Sequence, residues 1–253
     1  AVTEWFAKVT LGSLPERAAR RWGGREALCS EGRRWSFSAL AAEVDRAACG
    51  LMALGIAPGE RIALWMLNRA EWIITAFATF KIGAVLLPIN TRLRADDLAY
   101  ILRQSESGTL IINDRGGPID YQEMALGLLK DRTALPDGSL RDGGFPDLRR
   151  IVVLGEARPG TLSWDALMAR GASVGDRELH ERASHVSPDA TAYLMYTSGT
   201  TGQPKGVMHN HAAIRNVTDR GNRMAIGVTD TILMYLPLFH MFGFTEGLLM
   251  SML

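Results

Sequence analysis

In the first half of the chain, apolar residues recur at helical spacing in some stretches and run together without a break in others. The two patterns alternate. Residues 14–22 carry the spacing of a short amphipathic helix, 27–29 and 34–36 read as two brief strands, and Ser36 is placed to cap a helix over about 38–54. Gly55 supplies the stop, and Ala57-Pro58-Gly59-Glu60 supplies a turn before a strand at 61–66. From there the order is helix 70–82, strand 85–89, helix 94–105 and strand 109–113, which describes linked βαβ units. The strands around Leu64 and Leu86 lack polar alternation, as expected where both faces of a sheet are covered. The predicted class is α/β, with parallel-rich sheets covered by helices on both faces.

The pattern weakens over 115–145, where Gly/Pro patches and mixed charges surround one helical stretch near 121–130; this reads as a variable surface excursion. Regularity returns with a strand at 150–154 and a helix near 163–170. A polar linker over 175–189 follows, and Ser187-Pro188 marks a boundary that divides the chain into a first α/β part, 1–188, and the start of a second, 189–253. The second part opens with a strand at 192–196. A helix at 211–224, a strand at 231–236 and an apolar helix at 242–253 complete the reading, with no internal repeat.

Composition removes several classes of function. A net charge of +1 with scattered arginines gives no long-range field to attract nucleic acid or an acidic membrane surface. No apolar run approaches the roughly 18 residues of a membrane span, and the N-terminus lacks a signal pattern. Cys29 and Cys49 stand without metal-ligand spacing and read as reduced, partly buried thiols, so a cytoplasmic setting is expected.

The chemistry concentrates in one string, Tyr193-Leu-Met-Tyr-Thr-Ser-Gly-Thr-Thr-Gly-Gln-Pro-Lys-Gly-Val207. Gly199, Gly202 and Gly206 allow close approach of backbone amides to an anion, Thr197, Ser198, Thr200 and Thr201 add hydroxyl donors, and Lys205 adds a mobile positive charge. Hydrogen bonds to a charged phosphate contribute roughly 1.5 to 3 kcal/mol each, so several together could hold a polyphosphate against water. The string is not the common P-loop, since five residues after Gly199 stands Pro204 and the lysine is followed by Gly206. A Gly/Thr-rich surface turn explains any one Gly-Thr pair, but not the whole ordered string.

That string resembles the signature loop of the adenylate-forming superfamily: acyl-CoA synthetases, luciferases and peptide-synthetase adenylation domains. Softer likenesses run through the chain at Trp35-Ser36-Phe37, Gly59-Glu60-Arg61-Ile62-Ala63 and Gly83-Ala84-Val85. What the resemblance implies is ATP-dependent activation of a carboxylic acid to an acyl-adenylate and pyrophosphate, then a thioester with coenzyme A, with Mg2+ accompanying the ATP. It also implies that Thr197, Ser198, Gly199, Thr200, Thr201, Gly202 and Lys205 hold the phosphates, and it leaves room for a homodimer. The family's metal-binding glutamate, ribose-binding aspartate, hinge, adenylation lysine and C-terminal lid domain find no match up to Leu253. The rival from another class is a noncatalytic nucleotide-binding or interaction module that uses the same loop as an anion nest.

A second candidate lies in Leu236-Pro237-Leu238-Phe239-His240-Met241-Phe242-Gly243-Phe244. A lone histidine among aromatics is more often a packed residue than a catalytic one, but the segment resembles the Pro-Leu-Phe-His motif whose histidine borders the carboxylate in acyl-CoA synthetases. Relatives that activate amino acids place an aspartate here to hold the ammonium, and none lies between Tyr235 and Phe244. An unpaired ammonium buried there would cost several kcal/mol, so a fatty or aromatic acid is expected. His209 and His211 lack a third metal ligand and read as structural; Asp96 and Asp97 read as first-turn acids of a helix. No metal site is assigned. With the late lysine and the glutamate missing, the 253-residue chain alone is expected to show no acid-dependent exchange of labelled pyrophosphate into ATP; measurable exchange by the pure chain would refute this.

Overall fold

A computed structural model describes residues 8–135, 139–197 and 203–253. Helix α1 (Leu14–Trp22) leads into the antiparallel pair β1 (Glu26–Ser30) and β2 (Arg33–Ser36), then α2 (Phe37–Ala53). The Ser36 hydroxyl accepts a hydrogen bond from the Ala39 amide at 3.1 Å, and Gly55, at φ +75°, turns the chain out of α2. The βαβ run follows as β3 (Arg61–Trp65), α3 (Ala70–Lys81), β4 (Val85–Pro88), α4 (Ala95–Gln104) and β5 (Thr109–Asn113). Asp96 and Asp97 lie in the first turn of α4, where the helix dipole favours them.

Beyond β5 come the short pair β6 (Arg115–Gly116) and β7 (Ile119–Asp120), α5 (Tyr121–Leu128), and a second short pair, β8 (Thr133–Ala134) and β9 (Leu140–Arg141). Then follow β10 (Arg150–Leu154), β11 (Leu162–Ser163), α6 (Trp164–Arg170), α7 (Asp176–Ser184), β12 (Thr191–Thr197), β13 (Lys205–Asn210) and α8 (Ala213–Arg223). The last described helix is wound as a π-helix over Gly243–Leu249 and ends in a 3-10 turn over Met250–Met252.

One seven-stranded sheet in the order β11-β10-β5-β3-β4-β12-β13 organises these elements, and every neighbouring pair is parallel except β12 with β13. Successive strand residues feed opposite cores. Ile62 and Leu64 of β3, Leu86 of β4, Ile111 of β5 and Val152 of β10 join α1, α2, α3, α6 and α8 on one face. Ala63 and Trp65, Leu87, Leu110 and Ile112, and Ile151 and Val153 join α4 and α5 on the other. This is why the strands read as unbroken apolar runs: each side chain meets a helix whichever way it points.

Four expectations need correction. The strand expected at 231–236 does not form: Leu233 and Tyr235 stand 83% and 79% exposed, while Ile232 and Met234 pack on the first core. The alternation suits a strand, but among the described residues no neighbour offers it a hydrogen-bond ladder. The polar linker over 175–189 contains α7, whose single buried residue, Leu179, is too little apolar signal to read as a periodic face; Asp176 and Glu178 favour its first turn and Arg182 its last. The excursion over 115–145 is more than surface, because Tyr121, Leu126, Leu129, Leu140 and Phe145 close the second core. The cysteines are both free but differ, Cys29 being exposed and Cys49 buried.

Replacing the capping hydroxyl in Ser36→Ala should lower the unfolding free energy by about 1 kcal/mol, since it orphans a first-turn amide of α2. Urea unfolding of the two proteins checks this.

Candidate nucleotide and carboxylate site

The glycine- and hydroxyl-rich string includes most of β12 and the start of β13. β12 and β13 are antiparallel through a register that ends at Thr197 opposite Lys205, both exposed. Ser198, Gly199, Thr200, Thr201 and Gly202 lie outside the described residues. The sequence reading ran the loop straight into a helix and so missed β13; its exposed, glycine-containing residues carry no buried-strand pattern, and only pairing with β12 makes them a strand.

Helix α4 supports the pair from one side. The Tyr100 hydroxyl donates to the Pro204 carbonyl at 3.3 Å, and the Tyr196 hydroxyl donates to the Gln104 side-chain oxygen. Burial, with a smaller contribution from neighbouring Tyr100, pushes the Tyr196 hydroxyl up to about 12, so it stays a neutral donor near pH 7.

On the other face an aromatic cluster fixes β12. Tyr193, 1% exposed, stacks on His209 at 4.7 Å between ring centroids and 10° between planes, and meets Phe244 edge-on at 4.9 Å. Phe80 of α3 meets Tyr193 at 6.4 Å and His211 at 6.1 Å. The Nδ1 of His211 accepts a hydrogen bond from the Leu11 amide at 3.0 Å, which requires a bare, neutral ring nitrogen. His209 and His211 therefore do packing work. Burial lowers both, His211 to about 4.

His240 lies in a turn ahead of the last helix, exposed, with its amide donating to the Pro237 carbonyl at 3.1 Å and its Nδ1 accepting from the Phe242 amide at 3.3 Å. The turn is held by Asn68, which composition and spacing gave no reason to single out. Its side-chain amide donates to the Leu236 carbonyl at 2.7 Å, and its side-chain oxygen accepts from the Leu238 amide at 2.8 Å. Asn68 follows the carboxyl end of β3, and the segment between Thr197 and Lys205 follows the carboxyl end of β12, which runs parallel to β4 and β3. The two sequence candidates thus share one edge of the sheet, where open α/β sheets take their ligands. Asn113 holds the same edge together, accepting from the Leu67 amide at 2.8 Å.

The sequence profile described as AMP-binding enzyme matches residues 15–253. The chain belongs to that family. Within it, the chain is 35% identical over 244 residues to the Bacillus subtilis (strain 168) protein named "Putative acyl-CoA synthetase YngI", covering 95% of this chain and 44% of that protein. The N-terminal domain of FACL13 from Mycobacterium tuberculosis, solved with an inhibitor bound, superposes with a TM-score of 0.75 at 28% identity over 96% of this chain and 55% of that chain. The anthranilate CoA ligase AuaEII, solved in complex with anthranoyl-AMP, superposes with a TM-score of 0.74 at 25% identity, over 96% of this chain and 43% of that one. The chain spans less than half the length of the curated AMP-binding relative and corresponds to the N-terminal portion of acyl-CoA synthetases. None of its described helices is long and apolar enough to cross a membrane.

Because the folded pKa of His211 lies below the unfolded value, its contribution to stability is whole above about pH 6.5 and drains away as pH falls towards 4. In His211→Gln, the loss of unfolding free energy between pH 7 and pH 4 should be smaller by about 3 kcal/mol. Denaturant titrations at the two pH values measure it, and equal losses in both proteins would remove His211 as a source of acid sensitivity.

Proposed function

We propose that the protein containing this chain activates a fatty or aromatic carboxylic acid with ATP, forming an acyl-adenylate and then an acyl-CoA thioester. The observation that supports this reading is where the phosphate-type string leaves and re-enters the described structure: Thr197 at the carboxyl end of β12, which runs parallel to β4, and Lys205 opposite it at the start of β13, in a chain of the AMP-binding family. The relatives support the chemistry, one being named an acyl-CoA synthetase and another a CoA ligase solved with an acyl-adenylate.

In the proposed reaction the carboxylate oxygen attacks the α-phosphorus of ATP and pyrophosphate leaves, so charge builds on the departing group and no strong base is needed. Positioned donors do the work. We assign Thr197, the turn residues Ser198, Gly199, Thr200, Thr201 and Gly202, and Lys205 to the β- and γ-phosphates. Both described ends of the turn, Thr197 and Lys205, are open to solvent and free to meet a nucleotide. His240, on the same edge and exposed, is assigned to the carboxylate side, with Phe242 (54% exposed) offering apolar surface to the acid's body. Magnesium, when bound with ATP, would neutralise polyphosphate charge; the described residues hold no cluster of three His, Cys, Asp or Glu side chains suited to a cation. Its protein ligand is therefore not assigned here.

Lys205→Ala in the complete enzyme should slow adenylate formation by ten- to a thousandfold, if one anion contact in the transition state is worth roughly 1.4 to 4 kcal/mol. Single-turnover rates with a panel of fatty and aryl acids test the residue and the substrate class together. An unchanged rate takes Lys205 out of the mechanism, and nucleotide binding with no acid-dependent chemistry favours an anion-nest module.

A further inference from the structure

A cavity of about 840 Å³ opens at the other edge of the sheet, where Arg61, Val85 and Thr191 begin β3, β4 and β12. Beside it β4 and β12 share a single register pair, Tyr193 with Leu86. From there it runs along the face of β12 and β13 past Leu194 and Met208, which are register partners, as far as Gly206. Its size is that of an ordinary small-ligand pocket.

The charged side chains on its walls are Arg61, Glu106, Arg182 and His185. Arg61 and Glu106 neutralise one another at 2.7 Å, and the His185 Nδ1 is held by the Glu181 carbonyl at 2.7 Å. Arg182 has no such partner: among the described residues no carboxylate comes within ion-pair distance of it. Its Nη1 donates to the Ile56 and Ile82 carbonyls at 3.3 and 3.4 Å, which anchors the guanidinium and leaves the Nε–Nη2 edge uncommitted. That edge is the side-on fork that receives a planar carboxylate through two parallel hydrogen bonds. A half-buried cation, held by backbone carbonyls, without a carboxylate partner among the described residues, and lining the same cleft as Val85, Leu194 and Met208, is incomplete as it stands.

We infer that this cleft is a binding site for a monocarboxylate with a hydrocarbon body, its carboxylate on the free edge of Arg182 and its chain along Val85, Leu194 and Met208. One uncompensated positive charge matches one negative charge. A dianionic phosphate head would leave an excess negative charge in a cleft that already contains Glu106. The cleft reaches Gly206 of the string, but the carboxylate position at Arg182 lies outside the residues assigned to the nucleotide and to the reacting carboxylate.

The test is methyl NMR of the full-length protein carrying 13C-methyl methionine, titrated with sodium octanoate. Octanoate should shift the Met208 methyl resonance saturably, and the shift should persist in His240→Ala, which alters the side chain assigned to the reacting carboxylate and so separates this site from the adenylation site. Arg182→Gln should weaken the binding at least tenfold. Because that change also removes the hydrogen bonds to Ile56 and Ile82, a second variant is needed: Met208→Glu, at a position 72% exposed, should weaken octanoate at least fivefold, read by competition with a fluorescent fatty acid. Octan-1-ol binding as tightly as octanoate, octyl phosphate binding more tightly, or an Arg182→Gln protein with unaltered affinity would each overturn the assignment, as would the absence of any saturable Met208 shift.

Discussion

Tyr193 is the residue on which the site's architecture rests. Its backbone supplies the register pair that joins β12 to β4, and its ring, buried in the aromatic cluster, touches three separate elements. His209 of β13 stacks on one side, Phe80 of α3 and Phe244 of the last helix meet it from others, and Trp72 extends the cluster through Phe244 at 6.1 Å. Aromatic pairs of this kind are worth about 0.5 to 1.5 kcal/mol each beyond the area they bury. The β12–β13 pair at the end of the sheet, joined to β4 through one register pair, would otherwise be free to slide or peel. Here the hub locks the register of β12, and with it the place where the phosphate-type turn emerges.

The same hub couples the two halves of the proposed chemistry. Phe244 lies four residues after His240, so the helix that follows the Pro-Leu-Phe-His turn is packed on the strand that carries the turn for the phosphates. Asn68 adds a polar tie from the carboxyl end of β3 to the backbone around Leu236 and Leu238. Positioning is what adenylate chemistry asks of a protein, since the carboxylate is already a nucleophile and the leaving group already activated. Rigid aromatic and backbone contacts supply it better than a mobile loop alone.

Much of this was legible from residue order. The βαβ units could be read because Leu64, Leu86 and their neighbours are covered on both faces, and the Ser36 cap and Gly55 stop follow from local chemistry that tertiary contacts do not override. Three features were hidden for physical reasons. β13 is an exposed edge strand that exists through pairing, α7 buries one leucine and so lacks a face, and residues 231–236 have the alternation of a strand but no neighbour to pair with. At the site, the string from Thr197 to Lys205 announced itself by composition, and the motif around His240 by its resemblance to the Pro-Leu-Phe-His motif. Asn68 did not, because an asparagine after a strand is ordinary turn material until the carbonyl and amide it bridges, about 170 residues away, are known.

The family and the shared edge support the central proposal: the segment between Thr197 and Lys205 embraces the polyphosphate of a nucleotide. The most direct measurement is a crystal structure of the full-length protein with a non-hydrolysable ATP analogue. The account predicts β- and γ-phosphate oxygens within hydrogen-bond distance of the turn's amides and hydroxyls, with the Lys205 ammonium beside them. A nucleotide bound elsewhere, with those amides already satisfied by the protein itself, would contradict it.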